Sequence, residues 1–298
     1  MQWPADNPYD SAKATLGKVL FLDARLSRNG SVSCAWCHDP TVAFVDKHRS
    51  PFSSGVHGAI MRRNSPTLTN VGYGTSFMLD GRIATLEAQA LGPLLSVDEM
   101  DMTGPEIEAR IAADTTYVRM FREAFGSGTV TLTKVVRALT TYERTLVSAR
   151  SDYDHWAAGN SAALSASAKR GAAIFLGERG GCFQCHAPPL FTDGLFHDIG
   201  LDTIPLDSGR GAITGLASDV GRFKTPTLRN VAQTGPYMHD GRFGDLENIV
   251  RHYNAGGAPS PNRDPRIHPL ELTDAEVTDL VAFLQSLSDP DFMNDRAP

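Results

Sequence analysis

The residues best suited to chemistry in this 298-residue chain are its four cysteines, which all fall into two copies of one short pattern. The copies read Cys34-Ala-Trp-Cys37-His38 and Cys182-Phe-Gln-Cys185-His186. Cys-x-x-Cys-His is the attachment signature of a c-type haem. Two thiols on one short turn can reach the two vinyl groups of one porphyrin, and the His that follows can bind its iron. The spacing therefore predicts two covalently bound haem c groups, with His38 and His186 as iron ligands.

Other uses of paired cysteines fit this pattern less well. A structural zinc could take four cysteines, but it would leave both histidines unexplained and would join pairs that begin 148 residues apart. A thioredoxin-like redox pair belongs to a βαβ pattern, which neither pair shows. A disulfide within each pair gives the histidines no role. Haem attachment is the interpretation that uses all six residues.

Composition and charge exclude several other classes of protein. The formal net charge is −6 at pH 7, with no basic stripe that would indicate nucleic-acid binding. No apolar run approaches the roughly 18 residues of a membrane span. Covalent haem attachment takes place outside the cytoplasm, and the first residues lack both regions of an export signal. We therefore expect the mature form of a periplasmic protein.

The chain repeats itself, which predicts its domain organisation. Residues 66–87 align with residues 226–247 at a constant offset of 160, and eleven of the 22 positions are identical. Two long copies indicate a duplicated domain rather than a solenoid of short repeats. We predict a domain of residues 1–155 and a second domain of residues 156–298, with the linker in residues 152–165.

Helical spacing of apolar residues gives both copies the same plan. Residues 12–22 and 166–176 predict a helix before each haem motif. Residues 132–148 predict a helix near the end of the first copy, and a capping box that begins at Thr273 starts the corresponding helix in the second. Strand signals are sparse. The predicted fold class is therefore mainly α, with two tandem cytochrome c-like domains that each carry one covalent haem.

The two copies differ where an iron would receive its sixth ligand. Residues 245–254 predict a helix that directs Tyr253 inward, and the repeat offset places Pro93 at the same position of the first copy. Proline cannot bind iron, so the pattern predicts a blocked second haem and an open first haem. An inward tyrosine can also be only a core aromatic.

Other side chains remain candidates for the sixth position. For the second iron they are Met238, His239 and His252, and for the first iron they are His48 and His57. Met238 repeats Met78 of the first copy, which favours a shared packing role.

At these residues the chain resembles the superfamily of dihaem bacterial cytochrome c peroxidases and MauG, over most of its length. Besides the haem motifs, the matching segments are residues 26–29, 64–67, 80–82, 223–231 and 234–241. Peroxidases of this family place a Met as the sixth ligand of the second haem, and MauG-type enzymes place a Tyr. The resemblance therefore implies that Tyr253 binds the second iron.

The same resemblance implies roles for residues near the first haem and between the domains. The family's distal residues match Gln89, Pro93 and Glu99, with Glu99 as the acid/base that moves a proton between the peroxide oxygens. Without the resemblance, Glu99 would be interpreted as a solvated side chain. A calcium ion is typical of the family. The residues of this chain that match its ligands are Asn64, through its side chain, and Thr234 and Pro236, through their carbonyls.

The implied function is that of a MauG-like dihaem enzyme. It would use hydrogen peroxide to form a high-valent haem iron and oxidise a Trp or Tyr of a periplasmic partner protein by long-range electron transfer. The alternative is a dihaem peroxidase that takes electrons from a small cytochrome or copper protein. A non-catalytic electron-transfer cytochrome is a third hypothesis, which Pro93 disfavours. One departure is Leu79, where the family usually has a Trp between the haems. Charge would have to use another route, through Tyr73, Phe77 or Trp156, or move more slowly.

Overall fold

The computed structural model describes residue 1 and residues 3–294, and they divide into two compact units. The first unit consists of the described residues up to Thr75 together with Ile83–Val147. The second consists of Ser76–Arg82 together with the described residues from Ser148 onwards. Both are mainly helical, as predicted. Within the described part of the chain, no helix is long and apolar enough to cross a membrane.

The helices of the first unit are α1 (Ser11–Leu22), α2 (Cys34–Cys37), α3 (Leu86–Leu95), α4 (Gly104–Ala112), α5 (Thr115–Phe125) and α6 (Leu132–Arg144). Its core forms where α1 crosses α6, and Leu16, Leu20 and Phe21 of α1 are fully buried there. The crossing is close because Gly17 has no side chain. A Cβ atom at this position would lie 2.0 Å from the carbonyl oxygen of Ala138.

The second unit contains α7 (Asp152–Ala157), α8 (Ala166–Leu176), α9 (Gly211–Thr214), α10 (Leu246–Asn254), α11 (Asp274–Gln285) and α12 (Pro290–Asn294), with the antiparallel strands β1 (Phe196–His197) and β2 (Phe223–Lys224). Its core repeats the helix crossing of the first unit. A Cβ atom on Gly171 of α8 would lie 2.0 Å from the carbonyl oxygen of Asp279 in α11. The rings of Phe175, Phe191 and Phe283 pack against one another in this core.

The predicted helices are present, with one difference in length. The helix predicted for residues 132–148 ends at Arg144. Beyond this end, the carbonyl oxygen of Leu146 accepts a hydrogen bond from the Asn70 amide at 2.8 Å. The capping box at Thr273 is formed and begins α11.

The first part of the segment expected to be a linker is helical. Residues Asp152–Ala157 form α7, which a capping box between Ser151 and Asp154 begins. The ring of Tyr153 packs edge-on against the ring of Phe191, with the two ring centroids 5.0 Å apart. The second unit therefore begins near residue 148, ahead of the boundary expected at residue 155.

A short segment of the first sequence copy, Ser76–Arg82, belongs to the second unit. Its backbone is held there by hydrogen bonds. The amide of Lys224 in β2 donates to the carbonyl oxygen of Leu79 at 2.8 Å. The guanidinium of Arg210 donates to the carbonyl oxygens of Asp80 and Gly81, both at 3.0 Å. Each unit is therefore made of two separate segments of the chain.

Candidate functional site

The first haem motif lies on α2, which ends at His38. The imidazole Nδ1 of His38 donates a hydrogen bond to the carbonyl oxygen of Phe44 at 3.1 Å. A carbonyl oxygen can only accept, so Nε2 is the nitrogen left free to bind a metal. Burial lowers the pKa of His38, which keeps the imidazole neutral, the form that ligates iron.

The second motif repeats this geometry in the second unit. A short 3₁₀ helix spans Cys182–Gln184, and Nδ1 of His186 donates to the carbonyl oxygen of Phe191 at 2.9 Å. Burial lowers the pKa of His186 as well. None of the four cysteines is paired in a disulfide in this structure. Each unit thus presents two thiols and one oriented, neutral imidazole.

A cavity adjoins the first motif, and Cys34, Cys37 and His38 line it. Most of the remaining wall is apolar, with Phe21 and Leu139 among its residues. Two thiols, an imidazole with a free Nε2 and an apolar wall fit a covalently bound haem.

The predicted distal residues lie in this same cavity. Gln89, Pro93 and Glu99 all line it, and Glu99 is only partly exposed. Its neighbour Asp98 is the residue of the pair that is exposed. The first motif and the residues that resemble the family's distal set therefore share one space.

The backbone around Glu99 is held in place by a second loop. The Val56 amide donates to the carbonyl oxygen of Glu99 at 2.8 Å. Gly55 packs so closely that a Cβ atom there would lie 1.8 Å from the carbonyl oxygen of Asp98. Asn29 fixes this second loop in turn, because its side-chain amide donates to the carbonyl oxygen of Val56 at 3.0 Å. These contacts position Glu99 at the cavity.

Tyr253 lies in α10 close to the second motif. The ring is half-buried. Burial raises the pKa of its phenol above the usual value, and the nearby Cys182 and Cys185 raise it further. Leu246 and Val250, on the inward stripe of the same helix, are buried in the core of the unit.

The other candidate ligands of the second iron make contacts elsewhere. The Nε2 atom of His252 lies 3.0 Å from the carbonyl oxygen of Ile199. The ring of His239 stacks on Phe223, with centroids 3.9 Å apart. Met238 has a positive φ of 74°, as Met78 has one of 66°. The repeated methionines therefore share a backbone conformation.

His48 and His57 both lie outside the lining of the first cavity. The ring of His48 packs against Trp36, with centroids 5.1 Å apart. The Nε2 atom of His57 lies 2.9 Å from a carboxylate oxygen of Asp101, and half of its side chain is exposed. Neither imidazole therefore lines the cavity that adjoins His38 in this structure.

The residues matched to a calcium site are divided between the units. Asn64 belongs to the first unit, whereas Thr234 and Pro236 belong to the second. A calcium ion with these ligands stays a prediction.

Two polar features near the haem motifs escaped the sequence analysis. Glu143 of α6 is a buried carboxyl that lines the first cavity. In the second unit, His197 lies between Asp193 and Asp264, at 2.8 Å from each. Sequence spacing could not reveal either, because α6 follows the first motif by about a hundred residues and Asp264 follows His197 by 67.

The cluster around His197 also adjoins Cys185 of the second motif. Donor atoms of Cys185, Asp193 and His197 lie within 4.8 Å of one another, as in a metal site. Hydrogen bonds to Cys185 and Asp193 raise the pKa of His197 to about 9, against the opposing effect of burial. A sulfur that carries a haem is no longer a thiolate ligand, so this cluster fits a buried ion-pair network rather than a second metal.

Comparison with known proteins places the chain in a family. A family model described as Di-haem cytochrome c peroxidase matches residues 11–162, and one described as Cytochrome c matches residues 168–288. "Methylamine utilization protein MauG" of Methylorubrum extorquens is 43% identical over 287 residues, which are 95% of this chain and 80% of that protein. "Cytochrome-c peroxidase IdrP1" of Denitromonas iodatirespirans is 37% identical, over 96% of this chain and 84% of its own length.

A solved structure agrees with these relatives. The crystal structure of a MauG-like protein associated with microbial copper homeostasis superimposes with a TM-score of 0.91 and 34% identity, over 98% of this chain and 93% of the other. The fold, both haem motifs and the relatives agree. The chain therefore belongs to the di-haem cytochrome c peroxidase family, and it is a haem-dependent oxidoreductase with two haem c groups.

Proposed function

We propose that this protein is a MauG-like enzyme that uses hydrogen peroxide to oxidise a Trp or Tyr side chain of a partner protein. The observation that carries this proposal is Tyr253 of α10, which is near enough to Cys182 and Cys185 for their charges to raise the pKa of its phenol. A phenolate is a hard anion, so as an iron ligand it favours the oxidised state. When bound, the two haems supply the redox chemistry.

The residues of the first cavity would bind and orient the peroxide. Pro93 offers no ligating atom, which leaves room beside an iron held by His38. The Glu99 carboxyl takes the proton from one peroxide oxygen and returns it to the other. The Gln89 amide offers both a donor and an acceptor to hold the peroxide. Overall, peroxide gains two electrons and two protons and becomes two water molecules, and the partner's side chain loses those electrons.

The second candidate is a peroxidase that takes its electrons from a small cytochrome or copper protein. Leu79 favours it, because an aliphatic side chain cannot carry a hole where the family usually has a Trp. The 37% identity with a cytochrome c peroxidase is compatible with it too. The two functions share the first cavity and differ in what supplies the electrons.

Two measurements on the haem-loaded protein separate the candidates. The first is the rate of peroxide reduction with a reduced monohaem cytochrome c. The second is mass spectrometry of proteins encoded beside the gene after treatment with peroxide and enzyme. We expect slow cytochrome oxidation together with enzyme-dependent oxidation of a Trp or Tyr, and loss of that oxidation in Tyr253→Met. Fast cytochrome oxidation with no modified side chain would overturn the proposal and support the peroxidase.

Two further parts of the proposal concern location and a structural ion. Because haem c is attached outside the cytoplasm, we place the protein in the periplasm. We also propose a calcium ion with the Asn64 side chain and the Thr234 and Pro236 carbonyls as ligands. Removal of calcium with a chelator should change the haem spectra, and added calcium should restore them.

A further inference from the structure

Glu143 is a carboxyl group inside the first cavity that the proposed reaction does not use. Only 5% of its surface is exposed, and it lines the cavity together with Cys34 and His38. Its Oε2 atom has no hydrogen-bond partner among the residues that the structure describes. A buried carboxylate without a partner is costly, so a carboxyl in this position is neutral at ordinary pH. Burial raises the pKa of Glu143 to about 8.

The charged groups around Glu143 do not supply a partner. Arg144, the next residue of α6, is held by both carboxylate oxygens of Glu87 from α3, at 2.7 and 3.0 Å. This ion pair is close to neutral as a whole. From α1 the cavity receives the apolar Phe21, and the other carboxyl that lines it is Glu99.

Glu143 lies at the edge of the cavity where the haem is attached. The charge of Glu143 is the largest electrostatic influence on the Cys34 thiol, and it raises the pKa of that thiol in addition to burial. Thioether bonds join the porphyrin through its vinyl groups. A porphyrin held by Cys34 would therefore have Glu143 in the wall of its own cavity.

The second unit has a leucine in place of this acid. Gly17 packs against Ala138 and Tyr142, and Gly171 packs in the same way against Asp279 and Phe283. Asp279 follows Ala138 by 141 residues, and Phe283 follows Tyr142 by the same number. The same shift takes Glu143 to Leu284, which is buried in the core of the second unit. The acid is thus a property of the first haem site alone.

We propose that Glu143 is a positioning residue that links the reduction potential of the first haem to pH. As a neutral acid it leaves the potential high. When it releases its proton to water, the negative charge beside the ring stabilises the more positive, oxidised haem, and the potential falls. Oxidation of this haem by an external acceptor then releases one electron to that acceptor and a fraction of one proton from Glu143. The inference requires the first haem but not the peroxide reaction.

The test is a spectroelectrochemical titration of both haems on either side of about pH 8. The potential of the first haem should fall as pH rises through this range in the wild-type protein. Glu143→Gln keeps the size of the side chain but cannot ionise, so this part of the fall should disappear. Tyr142→Phe, which copies Phe283 in the neighbouring position of the helix, should behave like the wild type.

An unchanged pH dependence in Glu143→Gln overturns the inference while leaving the proposed function intact. Should that variant fail to load haem, Glu143→Asp and infrared spectroscopy decide the question. Oxidation of the wild-type protein near pH 8 should remove the carbonyl band of a protonated carboxylic acid, and the Asp substitution should move this band. Absence of such a band, or a band that the substitution does not move, contradicts the assignment.

Discussion

Pro93 and Tyr253 occupy the same position in two corresponding helices. Each is the eighth residue of its helix, α3 or α10. The residue before each helix also caps it: the Thr85 side chain accepts a hydrogen bond from the Ala88 amide in α3, and the Asp245 side chain accepts one from the Asn248 amide in α10. Both copies thus keep the capped helix, and Tyr253 in α10 stands where α3 has Pro93. This replacement is the most direct structural difference between the two haem sites.

Tyr253→Phe tests what that difference does to the second haem. Phenylalanine keeps the ring and its packing but removes the phenol oxygen, so the second iron should lose a ligand. We expect a changed spin state of this haem in electron paramagnetic resonance, with full haem content. His252→Phe is the matched control, since His252 contacts the Ile199 carbonyl instead. A Tyr253→Phe spectrum identical to that of the wild type would exclude the phenol as a ligand.

Glu99→Gln should slow the reaction with peroxide by about 10²–10⁴-fold, the usual contribution of a general acid/base. The amide cannot move a proton between the two oxygens, although it keeps the shape of the cavity. Stopped-flow absorbance after mixing with peroxide measures the rate. Asp98→Asn, at the exposed neighbouring position, should react at the wild-type rate. Equal rates for Glu99→Gln and the wild type would remove Glu99 from the mechanism.

Gly171→Ala should destabilise the second unit by about 1–3 kcal/mol, as overpacking of a core does. The added methyl group would meet the Asp279 carbonyl oxygen at 2.0 Å, so α8 and α11 must move apart. Urea unfolding of the haem-loaded protein gives the free energy. Gly92→Ala is the control, because nothing lies within 4 Å of its Cβ position in α3. That substitution should be neutral or stabilising, and equal losses in both variants would contradict the packing argument.

His197→Gln should destabilise the protein by on the order of 2 kcal/mol at neutral pH, since it removes charged hydrogen bonds to Asp193 and Asp264. When Cys185 carries the haem, Asp193 still holds the pKa of His197 above its ordinary value of 6.5. The contribution of His197 is therefore complete below about pH 6.5 and is lost as pH rises through the raised pKa. Urea unfolding over this range should show the wild-type advantage shrinking. An advantage that grows with pH would show that His197 is neutral.

Local spacing was enough to predict the haem attachment sites, because the chemistry of haem attachment is itself local. Two thiols and a histidine must come from one turn, so five consecutive residues indicate each site without any knowledge of the fold. The constant offset of 160 likewise places Pro93 against Tyr253 along the chain, since no insertion separates the repeated segments from these helices. Fold class, two haems and the family all follow from patterns of this kind.

Contacts between distant segments were decided only by the tertiary structure. Glu143 enters the first cavity because Gly17 lets α6 approach α1 closely. His57 is held by Asp101 outside that cavity, although its sequence position left ligation of the iron open. These outcomes depend on burial and on partners remote in the sequence, which periodicity and spacing do not encode. The sequence by itself therefore determined where the haems attach, and the tertiary structure determined which other side chains surround them.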